Sequence, residues 1–383
     1  MGSQPLLALT AFLGLISMTS CAGTRGATED ALAPETEPGA GGTPGTAPDV
    51  AGRSAEDTRG TGSPTDAGAD SAPKCGPCTV PANATATCAG GSCDYVCNYG
   101  FQKSGSICES KGWMIEASGA TSNLNAIWGS GAGDVYVGGA NGTVLHSSGD
   151  GVWTAQSTGV TGNIGSIWGT ASDNLYACGA DGLFRSRGKG TWVNESPAVT
   201  CPSYGTAIGG PSAADIWVAG YNKVWRSNGG GTWAQQTLPN SAGPLWTVLS
   251  LGATLYLGGV SIHVSKSGGA LTDAQLGFTY SMWGSSDTNF YFHNADAITH
   301  MSNGVRTYDR SVVVSYLWGS SATDVYAVRF SMSARPLAFH SDGTTWTPEP
   351  VPASTTSLNR VWGSGAGDVY MVGDNGIIIH RRR

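Results

Sequence analysis

The chain has 383 residues, 12% of them charged, with 58 glycines, 13 tryptophans, six histidines and a net charge of −7. Nine acids against four bases fall in residues 22–74, so that stretch carries five of the seven net negative charges and the remainder is close to neutral. A body with no basic stripe excludes nucleic-acid binding, which needs clustered Lys and Arg. Sparse charge with abundant glycine excludes a helical enzyme and points to short strands joined by tight turns.

Residues 1–20 read as a signal peptide, since the apolar run over 6–18 is too short to span a bilayer. The run closes on Met18-Thr19-Ser20-Cys21, which resembles the bacterial lipobox, in which the cysteine is acylated and becomes the new N-terminus. The resemblance implies lipidation of Cys21 and a membrane anchor. Ala22 and Gly23, with no aspartate after the cysteine, imply the outer membrane by the enterobacterial sorting pattern. The alternative is an ordinary secretory signal and a secreted protein, because no Lys or Arg precedes the apolar run.

Residues 21–74 continue from that cysteine as an acidic tether in which Leu32 and Val50 are the only large aliphatics after Cys21. Such a segment buries too little apolar surface to offset its ordering entropy. As a coil of roughly fifty residues it spans on the order of 40 Å.

Residues 75–110 hold six of the nine cysteines: Cys75, Cys78, Cys88, Cys93, Cys97 and Cys108. In an exported segment this reads as a disulfide framework with about fifteen possible pairings, among which spacing does not choose. A zinc site opened by Cys75 and Cys78 is the competing reading, and it would leave two thiols unassigned. The stretch from Cys97 through Gly100-Phe101 to Cys108 resembles the C-terminal end of an EGF-like module. No calcium consensus precedes it, and no metal or other cofactor is expected anywhere in the chain.

Residues 111–383 repeat every 35–45 positions, most clearly in SNLNAIWGSGAGDVYVGG (122–139) and TSLNRVWGSGAGDVYMVG (356–373). That period with several short strands per unit predicts an all-β fold, a seven-bladed β-propeller of four-stranded blades. One position, closing the first strand, carries Trp128, Trp168, Ile208, Val248, Trp283, Trp318 and Trp362; the weakly marked Val248 unit leaves six or eight blades open. A second, in the second strand, is aromatic throughout: Tyr136, Tyr176, Trp217, Tyr256, Tyr291, Tyr326 and Tyr370. A third carries His146, Arg185, Arg226, His263, His300, His340 and His380. A fourth opens an outer strand with Trp113, Trp153, Trp192, Trp233 and Trp346 and is degenerate in two units. The last unit lacks its outer strand, while the strand at Trp113 has no unit before it. Pairing the two closes the ring and removes exposed sheet edges.

Copies such as Arg226-Ser-Asn-Gly-Gly-Gly-Thr-Trp233 resemble Asp-box motifs of sialidase-type propellers, and the overall repeat resembles the tectonin-type repeats of lectins. Signal, tether, cysteine module and propeller together resemble the surface lipoproteins of myxobacteria. The sialidase resemblance would imply an arginine cluster and a Tyr/Glu pair in the central basin. The propeller has three glutamates, Glu116, Glu195 and Glu349, each three residues after an outer-strand Trp, from where a carboxylate pair cannot be assembled across a bond. The aspartates before the second-strand aromatic are expected to cap their own turns. The histidines form a ring rather than a metal cluster, and no catalytic residue is assigned.

In-register aromatics are expected to pack blade on blade. Departures from register are better candidates for a site. Two residues before the first position the copies read Ala126, Ser166, Thr206, Trp246, Ser281, Tyr316 and Arg360. Trp246, Tyr316 and Arg360, with Tyr204 and Tyr280 nearby, are expected at one mouth of the channel, where they either bind a saccharide or protein partner or plug a wide axis. Cys178 and Cys201, the remaining propeller cysteines, are expected to pair. The reading is of a monomeric, non-enzymatic envelope lipoprotein that binds a saccharide or protein. The alternatives are a degenerate sialidase-like glycan hydrolase and a purely structural scaffold.

Overall fold

The computed structural model describes residues 78–82, 84–98, 101–110, 112–188, 190–201, 207–239, 243–294, 296–330 and 337–382. Cys21, Cys75 and Tyr204, with the signal and tether segments, lie outside them. In the cysteine-rich part, two hairpins form, Ala84–Ala89 with Ser92–Cys97 and Phe101–Ser104 with Ile107–Ser110. Disulfides join Cys78 to Cys93 and Cys97 to Cys108, and Cys88 is also disulfide-bonded.

The remainder is a seven-bladed β-propeller of four-stranded antiparallel blades. Blade 1 runs Leu124–Gly131, Asp134–Gly139, Val144–Ser147 and Thr154–Ala155, each strand pairing with the one before. The first strands of successive blades adjoin one another around the axis. Blades 2 to 6 open at Ile164, Ile208, Leu245, Ser281 and Tyr316. Blade 7 combines Leu358–Gly365, Asp368–Gly373 and Ile378–Arg382 with Trp113–Glu116 from the other end of the propeller. Arg381 pairs with Trp113 and Ile378 with Glu116, so the ring is closed by backbone hydrogen bonds and the edges are consumed.

Burial follows from that geometry. The seven hydrophobic clusters among the described residues each mix two adjacent blades, such as Leu124 and Val135 with Tyr370 and Val372. No blade has a core of its own, which is why an isolated unit of this repeat would not fold. The Trp-Gly pair of the repeat serves this contact. A Cβ on Gly129 would lie 2.5 Å from Cη2 of Trp362, so glycine lets the preceding blade's indole lie flat on the strand. Five second-strand tyrosines then meet the next blade's outer tryptophan edge-on, as Tyr370 does Trp153 and Tyr326 does Trp113, with ring centroids 6.1 Å apart, while Tyr256 packs on Phe290 instead.

Three register expectations need correction. Across the first hairpin Trp217 faces Gly209, not Ile208, and Tyr256 faces Leu249, not Val248. Across the second, Tyr256 faces Val264, and His263 lies on the opposite side. The physical cause at Val248 is a missing β-bulge in the first hairpin. The other first hairpins shift register near their turns, for example between Gly129 and Gly131, whereas blade 4 pairs without interruption to Leu251–Thr254. A hairpin one residue shorter turns every side chain counted from the aromatic to the wrong face. In blade 3 the space left by Gly209 is taken by Val248 of blade 4.

The turn acids also differ from expectation. Rather than capping their own backbone, they reach across the blade to the third strand: Asp134 to His146 (2.9 Å), Asp215 to Arg226 (2.7 Å), Asp324 to His340 (2.7 Å) and Asp368 to His380 (2.6 Å). A disulfide joins Cys178 and Cys201, tying blade 2 to the segment entering blade 3.

Candidate functional site at the mouth of the axis

Residues from six blades line one cavity of about 510 Å³, and only a site on the ring axis meets that many. Tyr204 lies outside the described residues. The cavity wall is made at the starts of the first strands. In blades 1, 2, 4 and 7 a bulge interrupts pairing there, between Leu124 and Ala126, Ile164 and Ser166, Leu245 and Thr247, and Leu358 and Arg360. Pairing with the second strand is given up at the extra residue, and in blades 1, 4 and 7 that residue, Asn125, Trp246 or Asn359, lines the cavity.

The structure places Trp246, Tyr280, Tyr316 and Arg360 on this cavity. They do not share one repeat position. Tyr316 and Arg360 are in paired register with Val328 and Val372, whereas Trp246 is a bulge residue and Tyr280 precedes the first paired residue, Ser281. Sequence reasoning missed Asn125, Asn359, Phe330 and Asp374, which also line it. A signal for two of them was present: the best-matched copies both read Leu-Asn before the paired run (124–125 and 358–359), a polar residue that breaks strand alternation where the bulge falls.

The aromatic side of the site is packed on itself. Trp246 touches Phe278 edge-on at 5.4 Å and Tyr280 at 5.7 Å, and Tyr280 in turn lies 5.8 Å from His293. The indole Nε1 of Trp246 has no hydrogen-bond partner among the described residues. Burial pushes His293 down to about 4. Its Nδ1 faces the Asn294 carbonyl at 3.4 Å.

The polar side is built by blades 7 and 1. Asn359 donates to the Leu124 carbonyl (2.9 Å) and to Asp374 (3.0 Å), bridging the two blades and orienting the one carboxylate among the described lining residues. Arg360 is 7% exposed. Its Nη1 donates to the Asn359 carbonyl at 2.7 Å, the Tyr316 ring lies 4.8 Å from its Cζ, and its Nε and Nη2 have no partner among the described residues. Burial lowers its pKa, with Tyr316 opposing. An arginine so placed is costly unless something else meets its donors.

The expected enzyme-like groups are elsewhere. Glu116, Glu195 and Glu349 lie on outer strands, where they accept the indole N–H groups of Trp153 (2.6 Å), Trp233 (3.1 Å) and Trp113 (2.9 Å). Among the described residues no cluster of three His, Cys, Asp or Glu side chains is placed to hold a metal ion, and no helix is long and apolar enough to cross a membrane.

No family model and no curated protein matches the chain. Many solved structures share the fold. YCF48 bound to D1 peptide aligns with a TM-score of 0.58 at 12% identity, covering 72% of this chain and 98% of that one. Catalytically inactive H270A virginiamycin B lyase from Staphylococcus aureus, with quinupristin, gives 0.59 at 14%, covering 71% and 99%. The GH74 xyloglucanase from Xanthomonas campestris gives 0.60 at 15%, covering 70% of this chain but 53% of its own. At such identity the likeness concerns the fold alone.

Proposed function

We propose that the protein is a non-enzymatic binding protein of the cell envelope, anchored through Cys21, whose propeller takes a segment of a protein partner at the axial mouth. The observation that carries this reading is the cavity itself: six blades converge on it with side chains that depart from their siblings, and Trp246 and Arg360 bring donors there without protein partners. Elsewhere in the ring the same residue types are consumed by packing. A protein segment is favoured over a neutral saccharide because the site holds a buried arginine with two donors left over, which suits a charged acceptor. Here Trp246 is flanked by Phe278 and Tyr280, and Tyr316 by Arg360. Peptide occupancy of this fold has a precedent in YCF48, whose structure is described as bound to D1 peptide.

The test is binding of the purified protein to parallel peptide and glycan arrays, followed by oxidative footprinting with the best binder. Protection of Trp246 and Tyr280 supports the proposal. Protection confined to the outer strands, or binding to glycans alone, refutes it. For the anchor, incorporation of labelled palmitate should vanish in Cys21→Ala while export persists.

A further inference from the structure

We infer that the ligand at the axial mouth is a peptide presenting a carboxylate, which Arg360 receives on the edge formed by Nε–H and Nη2–H. This deepens the reading above and rests on it. The guanidinium has three sides in a plane and two faces. Nη1 is already spent on the Asn359 carbonyl, and one face is covered by Tyr316. What remains is the Nε/Nη2 side, two parallel donors without a protein acceptor. That pair matches the two oxygens of a carboxylate, and the match is the reason arginine rather than lysine is used for such groups. Neither donor is open to solvent as the chain stands, so the carboxylate is admitted when Tyr316 or the arginine itself rotates.

The surroundings limit what else can serve. Asp374, the carboxylate among the described lining residues, accepts from Asn359 and forms no ion pair with Arg360. The charge of Arg360 is therefore available rather than cancelled. A buried charge with no anion is destabilising, and an arrangement kept in this form has its complement in the ligand. The apolar side chains of Val314, Phe330 and Tyr316 border the position and suit an uncharged residue adjoining the carboxylate.

The experiment uses the full chain and hexapeptide arrays with the last three positions varied, printed as free acids, as C-terminal amides, and as amides with internal Glu or Gln. Retention on free acids at least tenfold above the matching amides supports capture of a chain terminus. Retention on Glu but not Gln amides supports capture of an acidic side chain. In either case Arg360→Met and Arg360→Lys should both lose at least tenfold, Lys because a point charge cannot replace two parallel donors. Arg360→Met should leave the thermal midpoint unchanged or raised, since it removes an unpaired buried charge. A lowered midpoint would make Arg360 a packing residue and overturn the inference. Equal retention on acids and amides, unaffected by Arg360→Met, overturns the carboxylate while leaving peptide binding intact. Absence of peptide binding in every format, or preference for uronate saccharides, overturns the underlying reading instead.

Discussion

At the rim and at the axial mouth this propeller uses the same residue types to opposite ends. On the outer strands Trp153, Trp192 and Trp233 each donate an indole N–H to a Glu or Gln of the preceding blade, and His380 has carboxylates on both ring nitrogens. At the mouth Trp246 keeps its ring nitrogen, and Arg360 two donors, without a partner among the described residues. The rim is a latch, in which these indole N–H groups are answered across the seam between blades and the His380 imidazole within the closing blade. The mouth is unanswered within the chain, and that contrast is what marks it as a surface for something else.

The sharpest way to break the comparison is at the closing blade. Glu116 is 3% exposed and accepts from both Trp153 and His380, so Glu116→Ala strips two partners at once. It should cost about 3–5 kcal/mol in urea unfolding, as expected when a buried pair loses one member. Next in size is the Cys178–Cys201 bridge, which spans 23 residues. Replacing both by Ala should cost about 3 kcal/mol through the unfolded state's regained freedom, without altering ligand binding. A smaller effect separates two tryptophans. Trp153→Phe leaves Glu116 short of a charge-assisted hydrogen bond and should cost about 2 kcal/mol more than Trp246→Phe, whose indole N–H has nothing to lose. Equal costs would mean that the rim latch contributes nothing beyond packing.

Much of this was legible from spacing. The blade number, the strand that closes the ring and the blade-to-blade role of the aromatics follow from a repeat whose unit cannot bury its own faces. What spacing could not supply is register within a hairpin. One absent bulge in the first hairpin of blade 4 shifts Val248 off the position that counting assigns it, the second hairpin of that blade sets Val264 rather than His263 opposite Tyr256, and one glycine in blade 3 hides behind its neighbour Ile208. The mouth was half legible for a related reason. Tyr316 and Arg360 stand out because their siblings are small, but Asn125, Asn359 and Asp374 are ordinary polar residues in sequence. They become site residues only because a bulge or a turn brings them to the axis. The aspartates were misjudged because local capping and cross-blade pairing leave the same sequence trace.

The two histidines carry the comparison into pH. Burial alone would push His380 down, but Asp368 and Glu116 outweigh it and hold it above 6.5, while burial carries His293 down to about 4. The folded chain therefore binds the His380 proton more tightly than the unfolded chain does, and stability from this residue is complete below about pH 6.5 and fades as pH climbs through its raised value. Asp368, which burial would raise but His380 and Ser364 draw below 3.8, adds stability above that value and loses it only in stronger acid. His293 has the opposite slope. The unfolded chain takes its proton first, so stability declines as pH falls from 6.5 toward 4, by on the order of 1–2 kcal/mol per histidine at pH 5. Urea midpoints measured from pH 4.5 to 9 should therefore flatten on the acid side in His293→Leu and on the alkaline side in His380→Gln. Because burial also lowers His263 and His300, some acid slope should persist in His293→Leu, but an acid slope unchanged from the wild type would mean that His293 is solvated in the folded chain.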